Sequence, residues 1–450
     1  MNPPPPSSYA VSHSVADRLR SLRQLRGPAM PGFTSKVREL VLIASSSRSG
    51  SSMLAEFLRR STSLLHMRAE FNPFLRLVGL AFPLSGTGSD RLDASDWLGL
   101  PQEQRHVLED ELALDVGYPC PCLEDEEQFL RDAAWRFAVQ WPDIDIDPAA
   151  WLATARTVLS TLRRWRVWSL KSPDVVRFQL ELLRELSTKG FVASPWYYDI
   201  PGHWLRRDLQ GPPPKGAPGD VILEEPPFTL PRVWRRPEDA EVEAKALVIK
   251  TPSNAYRTGF LRALFPVARI RVIHLTRNPA ASINGLFDGW CHRGFHSHRM
   301  PEPLQISGYG EDCPNDRWWW KFDLPPGWQT LTHSPLLNVC AFQWNASQVA
   351  ILDDLEAGQF DDYVRIRFES LIGSSECRQA CLSQLSAWLQ IPFDPALRRV
   401  ARDGVEPVAA TAPPSPRRWC RRADLIRPVI DDALLATSDK LGYGPEDTWI

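Results

Sequence analysis

Short apolar runs alternate with amphipathic stretches along this chain. Each run has the length of a buried strand, and each is followed by helical periodicity. The runs are 37–44 (VRELVLIA), 166–170 (RVWSL), 246–249 (ALVI), 269–276 (RIRVIHLT) and 363–368 (YVRIRF). The alternation predicts an α/β fold, with a central five-stranded parallel sheet flanked by helices.

Three segments fall outside this alternation. Residues 1–36 contain no strand candidate, so we expect a disordered or partly helical arm with a short basic helix at Val15–Arg26, followed by one domain over 37–450. Residues 194–243 and 290–335 are irregular, Pro- and Trp-rich insertions within that domain. Both are too long for plain connectors, and such loops are usually functional.

Composition narrows the class of protein. A net charge of −2 over 450 residues argues against a nucleic-acid or membrane-surface binder, so a small-molecule partner is expected. No run approaches the length of a membrane span, and the eight cysteines form no CxxC pair. We expect reduced thiols, a cytoplasmic location and no metal, while a homo-oligomer stays open.

The segment 41–54 carries the strongest chemical signal. A buried strand, a Ser/Gly loop and a helix start follow one another, and backbone N–H groups at such a helix start bind anions. Gly50 is expected to let the ligand approach closely. The side chains expected to bind the anion are Arg48, Ser49, Ser51 and Ser52.

Other basic residues follow predicted strands. Arg277 stands where the strand 269–276 gives way to a helix. Only eight residues are Lys, and two of them, Lys171 and Lys250, come directly after apolar runs. Because ligands of open α/β sheets bind at the carboxyl ends of the strands, these cations are expected at the binding edge.

These motifs resemble those of sulfotransferases that use 3′-phosphoadenosine 5′-phosphosulfate (PAPS). The sequence Arg48–Ser52 (RSGSS) resembles their 5′-phosphosulfate loop, and no Walker A lysine motif is present. Arg277-Asn278-Pro279 resembles their 3′-phosphate motif, although Gly285 stands where the family usually has Ser. The resemblance implies a P-loop-like sulfotransferase fold, with the 3′-phosphate bound by Arg277, Ser282 and Arg421.

The resemblance also implies an activity. It predicts transfer of a sulfuryl group from PAPS, the donor cosubstrate, to a hydroxyl of a small-molecule, carbohydrate or lipid-like acceptor. Sulfuryl transfer needs cations around the transferred group, for which Arg48, Lys171 and Lys250 are candidates, and a base for the acceptor proton. Glu70 is the first candidate base and His292 is its rival. A P-loop kinase and a PAPS-binding module without turnover remain alternatives.

Overall fold

A five-stranded parallel sheet forms the centre of the computed structural model, which describes residues 13–202, 204–205, 213–444 and 449. Its strands are β1 (Glu39–Ala44), β2 (Leu64–His66), β3 (Ala246–Lys250), β4 (Arg269–Thr276) and β5 (Asp362–Arg367). They lie in the order β5-β4-β1-β3-β2. The α/β prediction with five parallel strands is therefore confirmed.

Helices cover both faces of this sheet. The described helices are His13–Leu25, Phe33–Lys36, Ser51–Leu58, Asn72–Leu77, Ala94–Gly99, Gln102–Asp115, Glu126–Gln140, Pro148–Arg164, Val175–Thr188, Asp239–Ala244, Thr258–Leu264, Pro279–Trp290, Leu336–Glu356, Phe368–Ile372, Ser375–Trp388, Pro395–Asp403, Ala423–Ile426 and Asp432–Lys440. Within the described part of the chain, no helix is both long and apolar enough to cross a membrane.

Strand β1 is the central strand, which explains why its residues 40–44 are all apolar and buried. Leu42 pairs with Ile249 of β3 on one side and with Val272 of β4 on the other. Val41 and Ile43 point to the opposite face and are equally buried. Because both faces of a parallel sheet are covered, no polar position interrupts the strand until the chain reaches the loop at its carboxyl end.

One of the five predicted strands is wrong. Within 166–170, Trp168–Ser169 pairs with Ser172–Pro173 in a small antiparallel hairpin outside the central sheet. Lys171 occupies the exposed turn of that hairpin, so it does not lie at the binding edge. The missing strand is β2, which has only three residues and therefore gives almost no periodicity signal.

Two further antiparallel pairs organise the insertions. Trp234–Arg235 pairs with Tyr118–Pro119, and His296–Arg299 pairs with Trp319–Lys321. The described parts of the insertions also contain the short helical segments Pro195–Tyr197, Asp239–Ala244, Pro314–Trp318 and Trp328–Leu331. They pack against the main body, as the burial of Phe228 and Trp320 indicates. The insertions therefore build part of the molecule's interior.

The N-terminal segment is largely packed against the main body. The helix His13–Leu25 buries Val15, Leu19 and Leu22. Residues 1–12 of the predicted arm lie outside the described residues.

Arg26, immediately after this helix, forms part of a buried network of ion pairs. Its guanidinium donates to Glu111 at 2.9 Å and to Asp132 at 2.8 Å, and all three side chains are buried. Asp132 also accepts from Arg68 at 2.7 Å. Breaking such a network leaves buried charge uncompensated, which costs more than the loss of an exposed ion pair.

We expect Arg26→Leu to lower the free energy of unfolding by about 3–5 kcal/mol, because Glu111 and Asp132 would lose a buried partner. Chemical denaturation measures the change. The control is Arg20→Leu, which removes an exposed pair with Asp17 and should change stability by less than about 1 kcal/mol. Equal effects of the two variants would contradict the prediction.

Candidate active site

A cavity of about 200 Å³ opens at the carboxyl edge of the central sheet, where β1, β3 and β4 end. On the same scale one water molecule needs about 10–15 Å³, so the cavity has room for a ligand much larger than a water molecule. Its walls are formed by the loop after β1 with the start of the following helix, the segment 68–73 after β2, the ends of β3 and β4, Phe368 after β5, both insertions, the segment 407–414 and Arg418. This is the position at which open α/β sheets bind ligands.

The loop after β1 has the backbone geometry of an anion site. Arg48 and Gly50 both adopt positive φ, 64° and 96°, which turns the chain sharply before the helix Ser51–Leu58 begins. No side chain caps the start of that helix. Its first N–H groups therefore have no intrahelical acceptor, and the helix dipole favours negative charge beside them.

Gly50 is required by a contact within the protein, whatever its expected role in ligand approach. A Cβ at position 50 would lie 2.1 Å from the ring of Phe368, which follows β5 directly. The missing side chain thus allows the ring of Phe368 to pack against the loop, in addition to permitting the positive φ. Close ligand approach is not needed to explain this glycine.

Three arginines converge on the cavity from separate parts of the chain. Arg48 comes from the loop, Arg277 from the end of β4, and Arg418 from the C-terminal region. Burial, together with the neighbouring Arg277 and Arg418, lowers the pKa of Arg48 to about 10. Burial and Arg418 likewise lower the pKa of Arg277 to about 10. Both remain charged at neutral pH, and their mutual repulsion favours an anionic ligand.

Neutral groups, rather than carboxylates, contact Arg48. Its guanidinium donates to the carbonyl of Ala409 at 2.7 Å and stacks 4.6 Å above the ring of Phe295. Its buried Nε has no hydrogen-bond partner among the described residues. The guanidinium of Arg48, which lines the cavity, is thus held by neutral contacts and forms no ion pair with a carboxylate of the described residues.

The serines of the motif divide into two groups. Ser51 and Ser52 line the cavity together with Ser47. Ser49 and Ser282 do not line it: both are fully buried and their hydroxyls lie 3.4 Å apart. The proposed 3′-phosphate role of Ser282 therefore has no support from its position, because the hydroxyl faces the loop's own interior.

Gly285 and Arg418 lie beside Arg277 at the cavity. Gly285 lines the cavity, and a Cβ there would lie 3.5 Å from Nη1 of Arg277. Arg418 lines the cavity and pairs with Asp288, whereas Arg421 is exposed to solvent. Among the four arginines of the C-terminal stretch 417–422, Arg418 is the one that lines the cavity, whereas Arg421, the residue predicted to bind the 3′-phosphate, does not.

The opposite wall carries an ion pair. Lys250, at the end of β3, donates to Glu70, which follows β2. Burial raises the pKa of Glu70, and the nearby Glu225 adds to this while Lys250 opposes it. Glu225 is itself held by Arg76 at 2.7 Å and by Asn72 at 3.0 Å. The two residues proposed for acceptor chemistry, Glu70 and Lys250, are thus brought together.

His292 lies outside the cavity lining. Its ring packs against Phe295, with centroids 5.5 Å apart, and Nδ1 accepts the backbone N–H of Gly294 at 3.1 Å. Burial and the adjacent Arg293 lower its pKa to about 3. The structure therefore does not place His292, the rival base, beside Glu70.

Several cavity residues carry no sequence signal. Asp323 comes from the second insertion, Glu224 and Glu225 come from the first, and Arg68 precedes Glu70. Each stands in an irregular segment where neither periodicity nor a motif marks it. The acidic-Pro stretch EEPP at 224–227 is the nearest to a signal, since it combines two carboxylates with a rigid turn.

Within the described residues, no group of three or more His, Cys, Asp or Glu side chains is arranged to hold a metal ion. All eight cysteines are free thiols.

No protein-family model matches this sequence, and no curated protein is similar to it in sequence. Three solved structures are similar over most of the chain. The sulfotransferase domain from the curacin biosynthetic pathway is 14% identical, with 91% of this chain and 100% of that chain covered and a TM-score of 0.36. The sulfotransferase domain of the Synechococcus PCC 7002 olefin synthase is 14% identical, covering 91% and 97%, with a TM-score of 0.35.

The sulfotransferase STF9 from Mycobacterium avium is 11% identical, covering 93% of this chain and 79% of that chain, with a TM-score of 0.33. Identities and scores this low carry no conclusion about activity. The function has to be inferred from the residues around the cavity.

We expect Gly50→Ala to destabilise the protein by about 1–3 kcal/mol, because a Cβ would collide with Phe368 and the positive φ is strained. Denaturant titration measures the loss. Repeating the substitution in a Phe368→Ala background separates the two causes, since only the strain remains there. An identical cost in both backgrounds would show that the ring contact is unimportant.

Proposed function

We propose that this protein transfers a sulfuryl group from PAPS to a hydroxyl of a small acceptor. One observation carries the proposal: the arginine cluster of Arg48, Arg277 and Arg418 shares a single cavity with the Glu70–Lys250 pair. The cluster suits a donor with two separated anionic groups. The pair suits an acceptor that must lose a proton. The RSGSS and Arg-Asn-Pro motifs support the same assignment.

The cavity's charged groups fit such a donor. The N–H groups at the start of Ser51–Leu58 and the guanidinium of Arg48, which lines the cavity, would bind the 5′-phosphosulfate. Arg277 and Arg418 would bind the 3′-phosphate on the other side of the loop, and Gly285 leaves room for it. Binding of an anion would relieve the repulsion that lowers the pKa of both Arg48 and Arg277.

Each side of the cavity then has a chemical role. PAPS supplies an activated sulfuryl group, whose bond to the 5′-phosphate oxygen breaks as a bond to the acceptor oxygen forms. Arg48 and the loop N–H groups would stabilise the negative charge that develops on the leaving phosphate. Glu70 would receive the acceptor's proton at its carboxylate, and Lys250 orients that carboxylate.

The raised pKa of Glu70 suits this role. A base whose pKa lies closer to the working pH binds the transferred proton more strongly than an ordinary carboxylate does. The contact with Lys250 opposes the shift and helps keep Glu70 ionised before the reaction. The rate of transfer should therefore fall as pH drops through the raised pKa of Glu70.

We expect Arg48→Ala and Arg277→Ala each to weaken binding of adenosine 3′,5′-bisphosphate by about 1.5–3 kcal/mol, the range for hydrogen bonds to charged groups. Isothermal titration calorimetry measures this. Arg421→Ala is the matched control, since that arginine is exposed outside the cavity and its loss should leave binding unchanged. Full affinity in both test variants would rule out the proposed donor site.

We expect Glu70→Gln to bind the same nucleotide normally but to lose about 10²–10⁴-fold in turnover, because the amide cannot accept the proton. The loss should appear in kcat rather than KM. Transfer of ³⁵S from labelled PAPS to a panel of alcohols, sugars and hydroxylated lipids provides the assay.

Glu225→Gln is the control for this experiment. It removes one negative charge from the same wall but leaves the Glu70–Lys250 pair in place, so it should reduce kcat far less. If instead Glu70→Gln stays within threefold of wild type, Glu70 is not the base. If Glu70→Gln is that mild while His292→Ala abolishes turnover, the base lies in the second insertion.

A further inference from the structure

Asp323 is a buried carboxylate that binds the anion loop directly. It is 2% exposed, comes from the second insertion and lines the cavity. Ser47, in the loop after β1, donates its hydroxyl to Oδ1 of Asp323. The other oxygen, Oδ2, accepts from the hydroxyls of Tyr256 at 3.0 Å and Ser347 at 3.2 Å.

The backbone around Asp323 is fixed equally firmly. Its carbonyl accepts from Nε1 of Trp320 at 2.9 Å and from Nε2 of Gln343 at 2.8 Å. The next N–H, of Leu324, donates to Asp90 at 2.9 Å. The insertion therefore holds the carboxylate against Ser47 from a rigid base rather than from a mobile loop.

The electrostatic surroundings of Asp323 are unusual for a buried carboxylate. Among the described residues no Arg, Lys or His forms an ion pair with it, and its three side-chain donors are all neutral hydroxyls. The charged group that faces it is another carboxylate, Asp90. Burial, with Asp90 adding to it, raises the pKa of Asp323 to about 6.

The two neighbouring acidic groups, Tyr256 and Asp90, do not change their protonation state near neutral pH. Burial raises the pKa of Tyr256 well above its ordinary value, so that phenol stays a donor at neutral pH. Asp90 stays ionised, since Arg257 donates to it at 3.1 Å and His298 lies 3.5 Å away. Of the three acidic groups Tyr256, Asp90 and Asp323, Asp323 is therefore the one that titrates near neutral pH.

An anion in the adjoining loop would sit beside this carboxylate. Two negative charges at close range in a buried site repel strongly, and the carboxylate with the raised pKa removes the repulsion by taking a proton. The protonated form still accepts hydrogen bonds from Tyr256 and Ser347. Its own O–H can then donate to the oxygen of Ser47, so the loop stays anchored.

We propose that Asp323 is a positioning residue for the anion loop, holding it through Ser47, and that it takes up a proton when the anionic donor binds. This inference rests on the proposed function, because it needs an anionic donor in the loop. Its consequence is that donor affinity falls as pH rises above the range in which Asp323 carries its proton.

Asp323→Asn tests this inference, because it keeps the shape and most hydrogen bonds while removing the charge. The probe is adenosine 3′,5′-bisphosphate, titrated calorimetrically into the full chain at pH 5 and pH 8. At pH 8 the variant should bind about tenfold more tightly than wild type. The ceiling is about 100-fold, set by the two pH units that separate pH 8 from the pKa of Asp323.

At pH 5 the two proteins should bind within about twofold of each other, because Asp323 already carries its proton there. The phosphates of the probe titrate near pH 6 as well, but that contribution is the same for both proteins and cancels in the comparison. Repeating the titration at about pH 6.5, just above the pKa of Asp323, in buffers of different ionisation enthalpy counts protons directly. Wild type should take up more protons than Asp323→Asn does.

Ser47→Ala is a second variant that keeps the carboxylate and loses one donor to it. The ionised form of Asp323 is then less stable, so the pH at which affinity falls should move upward.

The pH dependence of folding stability, measured for wild type and Asp323→Asn, is an independent test. Because the folded pKa of Asp323 is raised, the wild type should lose stability relative to Asp323→Asn as pH rises from about 4 to 6.

The outcomes separate this inference from the proposed function. If wild type does not bind the nucleotide at any pH, the donor site itself is refuted and the Asp323 role falls with it. If wild type binds it but Asp323→Asn shows the same pH dependence and the same proton uptake, only the role of Asp323 is overturned.

Discussion

The arrangement of this site depends on one constraint: positively charged guanidinium groups are held close together, largely out of water, at the end of β1. Arg48 and Arg277 are separated by 229 residues in sequence, yet Nη1 of Arg277 donates to the backbone carbonyl of Arg48 at 3.0 Å. The backbone contact fixes the two cations side by side without neutralising either. Stacking of Arg277 on Phe368, 4.9 Å from the ring centre, holds it there. A bound anion would offset this repulsion, which is why the proposed donor site is built around these two side chains.

The cavity wall that carries Glu224 and Glu225 is held in place by connected buried ion pairs. Arg136 donates to both Asp115 and Glu224 at 2.7 Å, and Glu224 also accepts from Gln140. These contacts fix the first insertion, which contributes Glu224 and Glu225 to the cavity, against the helix Glu126–Gln140. The irregular insertion thus acquires the rigidity that a site needs from helices far away in sequence.

The sheet was predictable to the extent that its strands are long enough to show a pattern. Strands β1, β3, β4 and β5 have five to eight residues and were identified from apolar runs. Strand β2 has three, and the run 166–170 imitates a strand because a hairpin also favours Trp and Val. Local pattern cannot tell which apolar run joins the central sheet.

The same limit applies to the site. Arg48, Arg277, Glu70 and Lys250 lie at strand ends, where topology alone brings residues to one edge. Asp323 depends on a long-range contact with Ser47, 276 residues away, and the selection of Arg418 over Arg421 depends on the path of a single turn. Neither is encoded in the spacing of nearby residues, so neither follows from the sequence without the fold.

The segment 407–414 contacts Arg48 through a neutral backbone group and not through a carboxylate that would compete with an anionic ligand. Ala409 contributes its carbonyl to Arg48, and its N–H is held by Asp199 at 2.9 Å. A phosphate or sulfate group would be a stronger partner for the guanidinium than this neutral carbonyl, because it adds an opposite charge and can accept two parallel hydrogen bonds. Had a carboxylate stood in place of Ala409, an incoming anion would have had to break an ion pair. The neutral contact keeps the arginine in position and leaves its charge available to a ligand.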